Sequence, residues 1–159
     1  DGDGSFSTNR AGSIAGTNLI DLCFSGDYTK DELYNLITKK GGLISLLGTN
    51  DIRAVLKMIQ NGNEHAKLVL DSMIYQIAKQ VGAVSVNFAG NIDSIILTGA
   101  IANSEYFVSN LEKYISFLGK VTVIPGEKEM QALANGALRA LTNKEKILDY
   151  TGIPVEFNN

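Results

Sequence analysis

Two short apolar segments, separated by a helical pattern, limit the possible folds of this chain more than any other feature. The segment DSIILTG at 93–99 contains a continuous apolar run without polar alternation, which is typical of an interior strand in a parallel sheet. The segment VTVIPG at 121–126 reads as a second strand, and helical patterns occupy 104–118 and 127–141. Because parallel strands need a crossover connection, this order predicts a right-handed β-α-β-α unit.

The residues before these strands read mostly as helices. A Thr-x-x-Glu capping box at Thr29 and Glu32 begins a helix that we expect to end at Gly41. The segment 17–25 is also helix-like, and we expect its Cys23 to be a small core residue. The side chains of the 28–42 helix that we expect to face inward are Leu33, Leu36 and Ile37.

A wide apolar stripe over 64–87 predicts a long, central and largely buried helix. The helix before it starts after Asn50, which is a good cap, and carries one apolar face. We interpret GLISLLGTN at 42–50 as a short apolar connection, and NKEKILDY at 143–150 as a candidate last helix. The apolar face of the capped helix consists of Ile52, Val55, Leu56 and Ile59.

Two strands make a poor sheet, because an isolated pair is only marginally stable. The chain also begins with DGDGSFSTNRAGS, which has neither an initiator methionine nor a signal peptide and reads as a glycine-rich loop. We therefore expect the chain to be a piece of a longer protein whose missing strands lie upstream of Asp1.

Composition excludes several classes of function. The net charge is −3 and no basic cluster stands out, so a nucleic-acid partner is not expected. The apolar runs are too short to cross a membrane, and we expect no membrane association. A single cysteine cannot form a disulfide within the chain. We therefore expect a cytoplasmic protein.

The junction after the first strand is a candidate ligand site. Gly99 lacks a Cβ atom, so a ligand can approach its backbone closely. The helix that follows directs its free N–H groups back towards the strand tip, and the carboxyl ends of parallel strands are where open α/β sheets bind ligands. A plain structural loop explains the same residues equally well, and neither a GxGxxG nor a Walker A motif is present.

Two other segments carry charged side chains in suggestive places. Asp51 and Arg53 lie in the first turn of a helix, where an ordinary cap is the simplest interpretation. The functional alternative places Asp51 on a ribose or an amide, and Arg53 near an adenine or a phosphate. Arg10 lies in the loop STNRAGS and could present its guanidinium to a phosphate or carboxylate, or could be a plain surface residue.

The helix after the second strand opens with Glu127 and Glu129. Acidic residues in a first turn are usually caps, although a carboxylate at this end of a strand could also hold magnesium. We find no Ser/His/Asp set and no cluster of metal ligands in the sequence.

Several blocks of the sequence, in register, resemble a known family. The blocks GSFSTNRAG, TKDELYNLITKKGGLISLLGTNDIR, YQIAKQVGA, IILTGAIANSEYF and VIPGEKEMQALANGALRAL are similar to the carboxyl-terminal half of butyrate kinases, of the acetokinase family. The resemblance covers essentially the whole chain. It implies an α/β fold, the helix-rich ribonuclease-H-like lobe of the acetate/sugar kinase, Hsp70 and actin superfamily. Residues 1–159 would be its carboxyl-terminal, nucleotide-binding lobe, and the amino-terminal lobe would be absent from this chain.

The resemblance also implies an activity and its cofactors. Members of the family transfer the γ-phosphoryl group of ATP to a short-chain carboxylate such as butanoate, giving ADP and an acyl phosphate, with Mg²⁺ as the metal. They form dimers through this lobe, so a homo-oligomer is expected. The family's H-x-G-x-G-x-S hairpin, catalytic histidine and carboxylate pocket would precede Asp1, so the isolated chain is expected to be inactive.

Residue roles follow from the same resemblance. Arg10 matches the arginine that reaches the transferring phosphoryl group. Glu129 matches the acid associated with magnesium, chosen over Glu127 by the match of EMQALA to the family's helix. The positions that match the adenosine contacts are Asp51, Ile52, Arg53, Gly99, Ala100, Ile101 and Asn103.

One of these positions departs from the family pattern. The adenosine motif usually has two adjacent glycines, and Ala100 replaces the second of them. A methyl group there should be tolerated if the backbone φ of this residue is negative.

Two other functions remain possible at this point. The chain could be a non-catalytic domain that dimerises through its long helix and apolar faces, or the nucleotide lobe of a sugar kinase. Nucleotide binding distinguishes the kinase lobe from the dimerisation domain. Substitution of Arg53, or Gly99→Val, should abolish ATP binding in a kinase lobe and have no effect in a dimerisation domain.

Overall fold

The structure, a computed structural model, describes residues 3–148 and divides the chain into two compact units, 1–126 and 127–159. The first unit contains α1 (Gly16–Phe24), α2 (Lys30–Thr38), α3 (Gly42–Leu47), α4 (Ile52–Gln60), α5 (Glu64–Ser85), β1 (Ile95–Gly99), α6 (Glu105–Ile115) and β2 (Val121–Pro125), and the second contains α7 (Glu129–Leu141).

The strands β1 and β2 form a parallel pair with α6 as the crossover, as predicted. Ile95 lies opposite Val121, and Gly99 lies opposite Pro125. The prediction of an interior strand at 93–99 is wrong for the described residues. Burial alternates along β1, and Ile96 is 60% exposed, because its neighbours on the other face are the ones that pack against the core.

The core of the first unit is built around α5, against which α4 and α6 both pack. The predicted central helix is confirmed. Asn63 begins it, since its side chain accepts a hydrogen bond from the N–H of Ala66 at 2.9 Å. The predicted stripe is buried only over the first four turns, and Val84 is 53% exposed. The buried residues of α5 are Ala66, Val69, Leu70, Met73, Ile74 and Ala78.

The capping box predicted at the start of α2 is present. Thr29 Oγ1 accepts the N–H of Glu32, and the Glu32 carboxylate accepts the N–H of Thr29 at 2.8 Å. Both orphan donors are thereby satisfied. Of the three side chains expected to face inward, Leu33 is buried, Ile37 is half-buried and Leu36 is exposed.

Three further sequence-based predictions in this unit are wrong. The segment 42–47 is the helix α3 and not a connection, because its first N–H groups bond to the amino-terminal loop. The cap of α4 is Asp51 and not Asn50, since Asp51 Oδ1 accepts the N–H of Arg53 at 2.9 Å. Cys23 is exposed and not a core residue, as α1 has no buried residue.

Residues 3–15 form the predicted loop, and hydrogen bonds fix this loop to three helical regions. The Phe6 ring is buried, and its N–H donates to Gln76 Oε1 on α5 at 3.2 Å. The N–H of Ala11 donates to the carbonyl of Ile37 at 2.9 Å. The N–H of Leu43 donates to the carbonyl of Ser7 at 3.1 Å. The loop is therefore part of the folded body.

The second unit starts its helix α7 at Glu129, two residues later than predicted. The candidate last helix is not present over 143–148, and 149–150 lie outside the described residues. None of the helices in the part of the chain that the structure describes is both long and apolar enough to cross a membrane.

Candidate functional site

A cleft of about 730 Å³ opens in the first unit where the start of α4 faces the turn after β1. It brings together two segments that the sequence analysis selected separately. Six of the nine predicted site residues line it: Asp51, Ile52, Arg53, Ala100, Ile101 and Asn103. The remaining lining residues are Thr8, Asn50, Leu56 and Ser104.

The first wall of the cleft is the amino-terminal end of α4. Arg53 Nε donates to Asp51 Oδ1 at 3.0 Å, and Arg53 Nη2 donates to Asp51 Oδ2 at 2.9 Å. The Arg53 side chain is 90% exposed, whereas that of Asp51 is 42% exposed. The same carboxylate caps the helix, so Asp51 is held in one orientation by both the backbone and the guanidinium.

These contacts shift the titration of Asp51. Hydrogen bonds from the Arg53 guanidinium, and then from the backbone N–H of Arg53, hold the pKa of Asp51 below its ordinary value of 3.8. Asp51 is therefore an anion and a hydrogen-bond acceptor throughout the neutral range.

We expect Asp51→Asn to reveal this shift as a pH-dependent loss of stability. Asparagine keeps the cap oxygen but cannot ionise, and a carboxylate with a lowered folded-state pKa stabilises the fold only above its unfolded value. The stability difference between wild type and variant should be constant near neutral pH. The difference should disappear as the pH falls from the ordinary Asp pKa of 3.8 through the lower pKa that Asp51 has in the folded protein.

Urea unfolding midpoints measured from about pH 6 down to about pH 3 would show this convergence. Asp27→Asn is the matched control, since Asp27 is an exposed loop aspartate in the same unit. A wild-type advantage over Asp51→Asn that stays constant down to the lowest pH would contradict the prediction.

The second wall begins at Gly99, the last residue of β1. Its φ of 84° and ψ of 179° lie in a region that is essentially restricted to glycine. A Cβ atom at Gly99 would meet nothing within 4 Å. The backbone conformation therefore requires a glycine here, and the close approach of a ligand to Gly99 stays a prediction.

The turn that follows Gly99 is a single 3₁₀ turn, Ala100–Asn103. Ala100 is absent from the residues with positive φ, so the methyl group that departs from the family pattern is accommodated. The side-chain amide of Asn103 donates to the carbonyl of Ala100 at 2.9 Å. This bond closes the turn and fixes the Asn103 side chain at the cleft.

Thr8 is a lining residue that the sequence analysis missed. It belongs to the amino-terminal loop, and its carbonyl accepts the N–H of Ile44 on α3 at 3.1 Å. The loop reaches the cleft through tertiary contacts of this kind, for which no local signal exists in the sequence. Its neighbour Arg10 is exposed, and the backbone N–H of Arg10 donates to Ser7 Oγ at 3.1 Å.

Glu129, the predicted magnesium residue, is the first residue of α7 in the second unit and is exposed. Within residues 3–148 no three His, Cys, Asp or Glu side chains form a cluster that could hold a metal ion. Magnesium commonly binds through one or two carboxylates together with water and substrate phosphates. Glu129 could therefore supply one ligand to such an ion.

The lining of the cleft combines apolar and polar side chains, which suits a small molecule such as a nucleoside. Ile52, Leu56 and Ile101 offer apolar surface to a planar base, while the Asp51 carboxylate and the Asn103 amide offer fixed polar groups. Small-molecule sites usually combine apolar walls with a few placed polar groups in a volume of this order.

The chain matches the acetokinase family over residues 3–147. It is 47% identical over 150 residues to a probable butyrate kinase of Bacteroides thetaiotaomicron. The aligned region covers 94% of this chain and 42% of that relative. The chain thus spans less than half the length of the relative that it matches.

Solved structures show the same fold. A crystal structure of Porphyromonas gingivalis acetate kinase matches with a TM-score of 0.74 at 22% identity, over 86% of this chain and 41% of that one. A propionate kinase from Francisella tularensis matches with a TM-score of 0.71 at 23% identity, over 80% of this chain and 39% of that one. These likenesses confirm the predicted α/β fold class. The match to the family model over almost the whole chain establishes that this chain belongs to the acetokinase family.

Proposed function

We propose that this chain is the nucleotide-binding, carboxyl-terminal lobe of a kinase that converts ATP and a short-chain carboxylate into ADP and an acyl phosphate. The reaction proposed for the complete protein is ATP + butanoate = ADP + butanoyl phosphate. The observation that carries the proposal is the cleft, in which the start of α4 and the turn Ala100–Asn103 meet. The relative named as a probable butyrate kinase supports this substrate.

In this proposal the cleft binds the adenosine part of ATP. The Asp51 carboxylate accepts hydrogen bonds from ribose hydroxyls, since it is anionic and each of its two oxygens has more than one lone pair. Ile52 and Ile101 pack on the base, and Gly99 shapes the backbone that carries Ile101. The Arg53 guanidinium, which is planar and largely exposed, is suited to lie on the face of the base.

Arg10 would act on the transferring phosphoryl group. Phosphoryl transfer depends mainly on positioning and on neutralising charge that develops on the moving group. An arginine neutralises such charge and donates several hydrogen bonds in a fixed geometry. When bound, magnesium would neutralise phosphate charge, and Glu129 would hold it, with Glu127 as the alternative.

The direct test is calorimetric titration of the chain with ADP and with ATP. We expect both nucleotides to bind to the 159-residue chain, whereas carboxylate-dependent ATP turnover should require the full-length gene product. Absence of nucleotide binding by both proteins would refute the proposed function. Turnover with a sugar and not with butanoate, isobutanoate or acetate would refute the proposed substrate class.

Arg10→Ala in the full-length gene product should lower kcat by about 10²- to 10³-fold, because it removes one donor from the transition state. The affinity for ADP, measured by titration, should change little, since the adenosine contacts remain. Arg10→Lys should recover part of the lost rate, because it restores the charge without the planar fork.

Arg139→Ala is the control, as Arg139 is an exposed arginine whose Nε donates to Glu145 at 2.7 Å. An Arg10→Ala variant that turns over at the wild-type rate would remove Arg10 from the proposed mechanism.

We also propose that the complete protein is a cytoplasmic homo-oligomer. Exposed aromatic side chains on α5 and α6, Tyr75 and Tyr114, form an edge-to-face pair with ring centroids 5.6 Å apart. Such rigid aromatic surface is common at protein interfaces. Light scattering of the full-length gene product would give its mass in solution. A monomer at all concentrations would contradict the proposed homo-oligomer.

A further inference from the structure

We propose that Tyr106 and Asp71 are positioning residues, whose hydrogen bond fixes the second wall of the cleft relative to the first. The inference rests on the proposed function, because it concerns the affinity of the cleft for a nucleotide. Neither residue lines the cleft, and nothing in the sequence around either residue indicates such a role.

The bond joins the first turn of α6 to the middle of α5. Tyr106 OH donates to Asp71 Oδ1 at 2.7 Å. The other oxygen of the same carboxylate accepts a hydrogen bond from Lys67 Nζ at 2.7 Å. Tyr106 is partly buried and packs against the core, so its ring is held by packing while its hydroxyl is held by the carboxylate.

Both walls of the cleft are supported by α5. The first wall belongs to α4, which packs against α5. The second wall is continuous with α6. The N–H of Ser104 donates to the carbonyl of Ile101 at 3.0 Å, and Ser104 Oγ accepts the N–H of Phe107 at 3.2 Å. The turn and the first turn of α6 are thus linked, and moving one displaces the other.

The Tyr106 hydroxyl is a neutral donor under physiological conditions. Burial, and then the hydrogen bond to Asp71, raise the pKa of Tyr106 above its ordinary value of 10.0. A hydroxyl that donates to a carboxylate makes a short, charge-assisted bond. Its removal leaves Asp71 paired with Lys67, so Tyr106→Phe removes the hydrogen bond between α5 and α6 without leaving an unpaired charge.

The experiment measures ADP affinity in the full-length gene product by calorimetric titration. Tyr106→Phe should weaken ADP binding by about three- to tenfold, which is the range for losing one hydrogen bond. The KM for ATP should rise by a similar factor, whereas the KM for the carboxylate should stay constant. A general loss of stability would not produce this split between the two substrates.

Tyr114→Phe is the matched control, because Tyr114 also lies on α6 and contacts α5 through the Tyr75 ring. It should leave ADP affinity within about twofold of wild type. Asp71→Ala is the second variant, and a double-mutant cycle with Tyr106→Phe should be strongly non-additive, since both changes break the same bond.

The outcomes separate this inference from the proposed function. If wild type binds no nucleotide, the proposed function fails and the inference fails with it. If wild type binds ADP and Tyr106→Phe binds it equally well, only the inference is overturned. Additive effects of Tyr106→Phe and Asp71→Ala would also overturn it, because the two residues would then act independently.

Discussion

Gly42→Ala should destabilise the protein by about 3 kcal/mol or more, the largest effect on folding that we expect from a single methyl group. Gly42 has a φ of 58°, which L-residues rarely adopt, and an added Cβ atom would overlap the carbonyl oxygen of Ser7. The same Cβ would lie 2.8 Å from the carbonyl oxygen of Arg10. These are backbone atoms of a docked loop, so relief requires moving the loop itself.

The loss should appear as a lower urea midpoint in an unfolding curve followed by circular dichroism. Gly48→Ala is the control. Gly48 has a φ of 73° at the end of the same helix, but its Cβ would meet nothing within 4 Å, so only the backbone strain of about 1 kcal/mol applies. Equal midpoints for the two variants would show that the overlap with Ser7 is relieved without cost.

Gly42→Ala should also weaken nucleotide binding, since the displaced loop carries Thr8, which lines the cleft. Gly41 has the same relation to the loop, because its Cβ would lie 2.5 Å from the backbone nitrogen of Ala11. The two adjacent glycines therefore serve to seat the loop against α3.

Gly99→Val should reduce the affinity for ADP by about ten- to a hundredfold, which is the largest effect on binding that we expect outside the direct contacts. Valine cannot adopt the φ of 84° and ψ of 179° found at Gly99 without strain of about 1–3 kcal/mol. The strain is relieved by rotating the end of β1, and this rotation moves Ala100 and Ile101 out of their places in the cleft.

Gly90→Val is the matched control for this substitution. Gly90 has a φ of 83° and open space around its Cβ position, and it does not line the cleft. It should lose a similar amount of stability while keeping wild-type affinity for ADP. Titration of both variants, well below their melting temperatures, gives the comparison. Equal ADP affinities for the two variants would show that the conformation of Gly99 does not matter for binding.

Local signals in the sequence predict part of this structure well. The capping box at Thr29 and Glu32 and the apolar stripe of α5 act within one or two helical turns, so they can be read without knowledge of the fold. The crossover between β1 and β2 is also predictable, because parallel strands allow few alternatives. The crossover carries the second wall of the cleft, and α5 supports the helix that forms the first wall.

Other features depend on contacts between distant parts of the chain. The helix α3 has only six residues, too few for a periodic pattern, and its start is fixed by Ser7 and Thr8. The sequence does not decide which residue caps α4, since Asn50 and Asp51 are both good caps. The contacts of Arg53 with Asp51 decide in favour of Asp51. The exposure of Ile96 depends on which face of the sheet is covered, and an apolar run does not indicate this.

The docked loop has a consequence for the order of folding. Residues 3–15 are synthesised before the helices to which they bind, and the bond from Phe6 to Gln76 spans 70 positions. Closing so long a segment costs more chain entropy than forming a local helix. We therefore expect the part of the first unit that leaves the ribosome first to dock after its helices have formed, and Thr8 then completes the cleft.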